Sequence, residues 1–192
     1  MEFRKHEDRD SMEYSPIIKQ FDSTFWSTLA GAPAMSGNVL RFTSATVATF
    51  LLFEYGDFRF DLNIPAVPTV GDARIWGLKL PDSNNFGAAY FEVTGTTFRA
   101  VTYDRFGTAQ TTTLTWDDTN YSAKVVEFRI LWEPDQVGFL INDVVVATHS
   151  DTNGGHIPDM AKKGSLPIYI KNGNADNMDL TYLAVTNAAS IV

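Results

Sequence analysis

The sequence predicts an all-β chain of antiparallel strands, packed as a sandwich or barrel. Two observations carry this. From Ile17 onward, short runs rich in Val, Thr, Phe and Tyr recur, separated by Gly, Pro, Asn and Asp. Within several runs apolar and polar residues alternate, which puts one strand face in a core and the other outside.

Phe25 and Trp26 open the first predicted strand, 25–28, and Val39, Leu40 and Phe42 mark the second, 39–42. The longest apolar run lies in the third, 46–53. In 56–64, Phe58, Phe60, Leu62 and Ile64 alternate with Asp57, Arg59, Asp61 and Asn63. Strands at 73–80, 88–93 and 97–103 follow. A Thr-rich strand, 111–116, ends at Trp116 before Asp117-Asp118. In 124–133 the alternation runs through Phe128, Ile130 and Trp132, and Pro134-Asp135 turns it into 136–141. Asn142-Asp143 is a two-residue hairpin link to 144–150, since both residues tolerate positive φ. Strands at 165–171 and 178–186 close the set. Helical periodicity is missing; the one short helix the sequence allows is 158–163.

Composition bounds the rest. A chain of 192 residues corresponds to about one domain at roughly 150 residues each. Hydrophobic residues are 44% and charged ones 20%, a globular balance rather than a disordered one. The net charge of −8 argues against nucleic acid or an anionic membrane as partner. Without Cys there are no disulfides, thiol nucleophiles or Cys-based zinc sites. The first ten residues are charged, unlike a secretory signal, and no apolar run is long enough to span a bilayer. Residues 1–16 read as an N-terminal arm, 17–187 as the sandwich and 188–192 as an apolar C-terminal tail.

Several segments, in order, resemble the laminarinase-type glucanases of the concanavalin A-like lectin/glucanase superfamily. Tyr55-Gly56 precedes the alternating strand that ends at Pro65, and Ala73–Leu78 carries an inner Trp76. The Trp132-Glu-Pro-Asp hairpin and the closing strand around Leu180–Val185 complete the layout. The resemblance implies an antiparallel jelly-roll β-sandwich of two curved sheets, with sugars bound on the concave face. It also implies a strand reading Glu-x-Asp-x-x-Glu, or one residue shorter. Retaining hydrolysis needs two carboxyls about 5–5.5 Å apart on that strand.

The corresponding strand here is Phe86-Gly-Ala-Ala-Tyr-Phe-Glu-Val93, with Glu92 its one carboxylate and Ala88 and Tyr90 at the partner positions. The expectation from this strand is a protein that is not an enzyme, with no catalytic residue and no cofactor. His6, His149 and His156 lack metal spacing, so no metal site is assigned. Calcium stays open at two Asn/Asp-rich loops, 151–155 and 172–179, which equally fit plain turns; Thr181 stands where relatives place a ligating Asp.

Candidate glycan-binding residues are Trp76, Tyr90, Tyr103 and Trp116 for stacking, with Asn84, Asn85 and Glu92 for hydroxyls. Trp76 and Trp132 also fit core positions, whereas Trp116 fits a rim. Fold-level analogy adds an assembly role: a structural or surface component of a viral (phage) particle, such as a capsid decoration or tail appendage, possessing the arm and tail as contacts. The assembly candidates are Phe3, Arg4, Lys5, Ile191 and Val192. The expected partners are copies of itself or other virion proteins, with polysaccharide as a further ligand. The expected location is the particle exterior, reached from the host cytoplasm without a signal. The alternative is a stand-alone carbohydrate-binding protein or a divergent glycoside hydrolase.

Overall fold

A computed structural model describes residues 15–16, 25–37, 39–65, 73–81, 87–151, 156–158, 165–186 and 189–191. Sixteen strands lie among them. They are β1 (Ser15–Pro16), β2 (Trp26–Ala30), β3 (Ala34–Ser36), β4 (Val39–Phe42), β5 (Ala45–Glu54), β6 (Gly56–Asn63), β7 (Arg74–Lys79) and β8 (Ala88–Thr94). Then follow β9 (Thr97–Tyr103), β10 (Ala109–Leu114), β11 (Val125–Trp132), β12 (Gln136–Ile141), β13 (Val144–Ser150), β14 (Leu166–Asn172), β15 (Met178–Thr186) and β16 (Ala189–Ile191). The first sheet has the order β13-β12-β11-β6-β15-β4-β3, with β1 against β15. The second has the order β10-β9-β8-β7-β14-β5-β16, with β2 against β5. The fold is an antiparallel jelly-roll sandwich.

Alternation decides what the two sheets bury. Phe58, Phe60 and Leu62 of β6 and Phe128, Ile130 and Trp132 of β11 point inward from the first sheet. Trp76 and Leu78 of β7 and Phe91 and Val93 of β8 meet them from the second. The Trp76 ring lies 4.8 Å from that of Phe128 and 5.8 Å from that of Phe91. Such aromatic pairs add about 0.5–1.5 kcal/mol each beyond the area they bury.

The outer face of the first sheet is laced by ion pairs. Arg59 reaches Asp61 and Glu127 at 2.9 Å, Arg41 grips Asp179 through two bonds, and Arg129 bridges the buried Asp57 and the exposed Asp143.

Local chemistry explains the turns. Asn142 and Asp143 both adopt positive φ, 49° and 63°, and join β12 to β13 as the sequence predicts. Where β14 slips against β5, between Pro167 and Tyr169, the Thr49 hydroxyl accepts from the Ile168 N–H at 3.0 Å and donates to the Leu51 carbonyl at 2.7 Å. A side chain thereby satisfies backbone groups that the bulge takes out of the ladder. Three short strands, β1, β3 and β16, go unpredicted from sequence. Their pairing is long-range: β16, from the segment read as a tail, adds to β5 at Leu52–Glu54, beyond the stretch of that edge that β2 covers. Of the predicted helix 158–163, only residue 158 is among the described residues, where it is not helical.

Two tests follow from the packing. Gly77 has φ +150°, and a Cβ there would lie 2.5 Å from the Ala89 carbonyl oxygen and 2.6 Å from Tyr90 Cα. Backbone atoms of a paired strand cannot step aside, so Gly77→Ala is expected to cost about 2–3 kcal/mol in chemical unfolding. His149 is buried between Thr102 and Thr112, with Nδ1 2.8 Å from one hydroxyl and Nε2 3.0 Å from the other. Burial pushes its pKa down from 6.5 to about 4. The unfolded chain therefore binds the proton first as pH falls, and stability present above pH 6.5 drains away toward pH 4. The loss from this residue is about 3 kcal/mol. Unfolding measured from pH 7 to 4 should show it, and His149→Gln should flatten that part of the curve.

Candidate functional site

On the second sheet the side chains turned away from the core form three rows across the strands. One runs Thr46, Lys171, Ile75, Glu92, Arg99, Thr113. The next runs Ala48, Tyr169, Gly77, Tyr90, Val101, Thr111, and the third runs Lys79, Ala88, Tyr103, Ala109. Ala48, Ile75, Ala88, Tyr90, Val101 and Tyr169 pack into a cluster separate from the main core, with Tyr103 against it. A glycine between Tyr169 and Tyr90 leaves an aromatic on either side of a bare backbone position, an arrangement that protects the glycine and flattens the floor.

Tyr90 is only 4% exposed. Its ring stacks on the half-buried Tyr103 with centroids 6.3 Å apart. Burial, then the neighbouring Tyr103 and Glu92, push the Tyr90 phenol well above its ordinary range, so it stays protonated. Glu92 sits directly across the ladder from Arg99, with 3.2 Å between carboxylate and guanidinium and side-chain exposures of 18% and 35%. The Lys79 Nζ lies 6.0 Å from the Tyr169 ring centre. Burial, then the like charge of Lys171, lower its pKa.

The sequence candidates separate on this geometry. Tyr90, Glu92 and Tyr103 share the outer face, with Tyr90 as floor beneath the more open Tyr103. Trp76 is corrected: it is 0% exposed, between the sheets, where no sugar reaches it. Trp116 is half-buried. It packs on Phe98 of the main core and on Tyr121, and its indole N–H donates to Ser122 at 3.0 Å. Asn84, Asn85, Phe3, Arg4, Lys5 and Val192 lie outside the described residues. Ile191 ends β16.

Sequence reading missed Arg99, Lys79, Tyr169, Lys171 and Gly77. Alternation with Ile168 and Ile170 was a usable signal for Tyr169 and Lys171; the position of Arg99 opposite Glu92 needs the register.

The oxygen-rich loop after β14 is occupied by the chain itself. Asn172 Oδ1 accepts from Arg74 Nε at 3.1 Å and from the Asn174 N–H at 3.2 Å, and Asp179 is held by Arg41. Among the described residues no three His, Asp or Glu side chains gather as a metal site. At the end of β9, burial works to raise the Asp104 pKa. The Thr108 N–H, the His156 ring at 2.7 Å and the Phe106 N–H outweigh it and hold the carboxyl below its ordinary range.

Neither a family model nor a curated protein sequence matches the chain. Solved structures do. A native glycosidic hydrolase matches with a TM-score of 0.65 at 16% identity, over 92% of this chain and 97% of that one. An apo transglycosylase matches with 0.65 at 16%, over 91% and 83%. The laminarinase catalytic domain from Thermotoga maritima matches with 0.65 at 13%, over 86% and 92%. The two-sheet antiparallel sandwich of these structures is the fold of this chain. These neighbours overturn the expectation of a protein that is not an enzyme: they carry enzymes' names, and they cover nearly the whole chain. At such identities the shared property is the fold. They give no support to a virion or capsid-decoration role.

The Glu92–Arg99 pair is part-exposed, and such pairs contribute about 0–1 kcal/mol. Glu92→Gln is therefore expected to lower the melting temperature by less than about 4 °C, measurable by calorimetry, so this variant probes function without unfolding the sheet.

Proposed function

We propose that the protein is a carbohydrate-active sandwich of glucanase type, and a divergent glycoside hydrolase. It holds a glycan chain across the outer face of the second sheet. The observation that carries this reading is the composition of β8 and β9 on that face. The strand that corresponds to the catalytic strand of the resemblance turns Ala88, Tyr90 and Glu92 outward together, and Tyr103 and Arg99 stand beside them. Tyr103 offers an aromatic surface for the C–H face of a sugar, and the Glu92–Arg99 pair offers an acceptor and donors for hydroxyls.

Glu92 is the one carboxylate among the outward residues described on β7, β8, β9 and β10. In this reading it protonates the glycosidic oxygen as the bond to the anomeric carbon breaks. Ala88 and Tyr90 supply no carboxylate nucleophile. The attacking oxygen then comes from water: it bonds to the anomeric carbon as the glycosidic bond breaks, the leaving oxygen keeps the proton from Glu92, and the proton that the water sheds passes to solvent, which reprotonates Glu92 for the next turnover.

Binding of a soluble β-1,3-glucan, followed by calorimetry, and release of reducing ends from it test the proposal together. Tyr103→Ala should weaken binding about tenfold, the scale of an aromatic anchor lost. Glu92→Gln should retain binding and lose turnover. Turnover that survives in Glu92→Gln would remove Glu92 from the chemistry. No binding and no turnover across a panel of glucans would sink the proposal.

A further inference from the structure

We infer that the turn between β9 and β10 is an outer glycan subsite, where Phe106 stacks on a sugar unit beyond Tyr103 and Arg105 donates to its hydroxyls. The inference rests on the glycan-binding reading above and extends it to a substrate class: a polymer, rather than an oligosaccharide that ends within the face. Its first basis is exposure. Phe106 is 69% exposed, the most of any large apolar side chain among the described residues.

The turn itself does not need that ring. Asp104 and Gly107 meet its requirements: the Gly107 N–H donates to the Asp104 carbonyl at 3.2 Å, and Gly107 takes a φ of 83°. Phe106 stands third in the turn, a place that accepts most residues. The turn is also tied down. The Asp104 carboxylate accepts from the Phe106 and Thr108 N–H groups, each at 2.8 Å, and the Asp104 N–H donates to the Thr108 carbonyl at 3.0 Å. The other carboxylate oxygen lies 2.7 Å from His156 Nδ1, and the His156 carbonyl accepts from the Thr102 hydroxyl at 2.5 Å. The Arg105 guanidinium lies over the Phe106 ring, 4.2 Å from its centre, and leaves the opposite face for a ligand. A ring held in place before binding gives up little freedom on binding, which is what an aromatic anchor requires.

Placement joins the ring to the face. Tyr103 pairs with Ala88 on one side and with Ala109 on the other, and the turn begins at the next residue. Phe106 follows Tyr103 by three residues, so at most about 11 Å of backbone separates them. A glycan chain that stacks on Tyr103 and continues past the end of β9 would come to Phe106. Its C–H face would meet the ring, and the guanidinium beside it would supply donors to hydroxyls. Other exposed apolar residues lack this continuity: Val144 and Val145 lie on β13, at an edge of the first sheet.

Laminaritriose and laminarin, a short and a long chain of one backbone, are the probes, each titrated by calorimetry. Wild-type protein should bind laminarin the more tightly. Phe106→Ala should lower the ratio of the two affinities about fivefold, less than the loss of a central anchor because the turn is open to water. Phe106→Trp should keep the ratio, since the larger ring still stacks. Val144→Ala, an equally exposed apolar change on the first sheet, should keep it too. Laminarin bound no tighter than the trisaccharide would overturn the outer subsite while the glycan-binding reading stands. So would a ratio unaltered by Phe106→Ala, one lowered as much by Val144→Ala, or one lowered as much by Phe106→Trp. Binding of neither chain would overturn both readings at once.

Discussion

The contact between Trp76 of β7 and Phe128 of β11 ties the two sheets together, and the rest of the molecule is arranged around it. Phe91 and Phe98 stack beside Trp76 from their own sheet, and Phe139 meets Phe91 from the opposite one. Each ring is inward only because its strand alternates, and a slip of one residue in any pairing would exchange core for surface. Fixing Trp76 inward fixes Ile75 and Gly77 outward. Through the ladder it then fixes Glu92 and Tyr90 outward as well. Core packing and the composition of the candidate site are thus one constraint seen from two sides.

The outer faces of the two sheets have been built for different ends. On the first, carboxylates and guanidiniums alternate across β6, β11 and β15 and satisfy one another, with Asp57 buried against Arg129. Removing one member of such a buried pair strands the other, so these charges are committed to the fold. On the second, tyrosines and small residues make a floor, and the charges stand at its margins. Aromatic area and one cross-strand ion pair, Glu92–Arg99, are the features on which the proposed glycan site rests.

That face departs from the two-carboxylate arrangement the family resemblance leads one to look for. Ala88 and Tyr90 occupy the positions where acids would be expected. The consequences are chemical. Tyr90, buried, stacked on Tyr103 and held protonated, is a structural floor rather than a nucleophile. Glu92, tethered by Arg99, is left as the single carboxylate on the strand, and any turnover must draw its attacking oxygen from elsewhere.

Strand identity was legible from the residues. The alternation in Phe58–Ile64 and Phe128–Trp132 placed β6 and β11, and Asn142-Asp143 placed their neighbouring hairpin turn. Alternation within one strand is a local property, so the shared face of Ala88, Tyr90 and Glu92 was legible too. Trp76 was not separable into core or site, because alternation names two faces without saying which is inside. Nor was Arg99 recognisable as the partner of Glu92, since cross-strand register is not written in either strand alone. The sequence by itself determined every strand but β1, β3 and β16, the turns between them and the β-sandwich class, all set by period-two patterning and local φ preference. Only the tertiary structure decided which face was buried and which charges met, because both depend on how separate strands align.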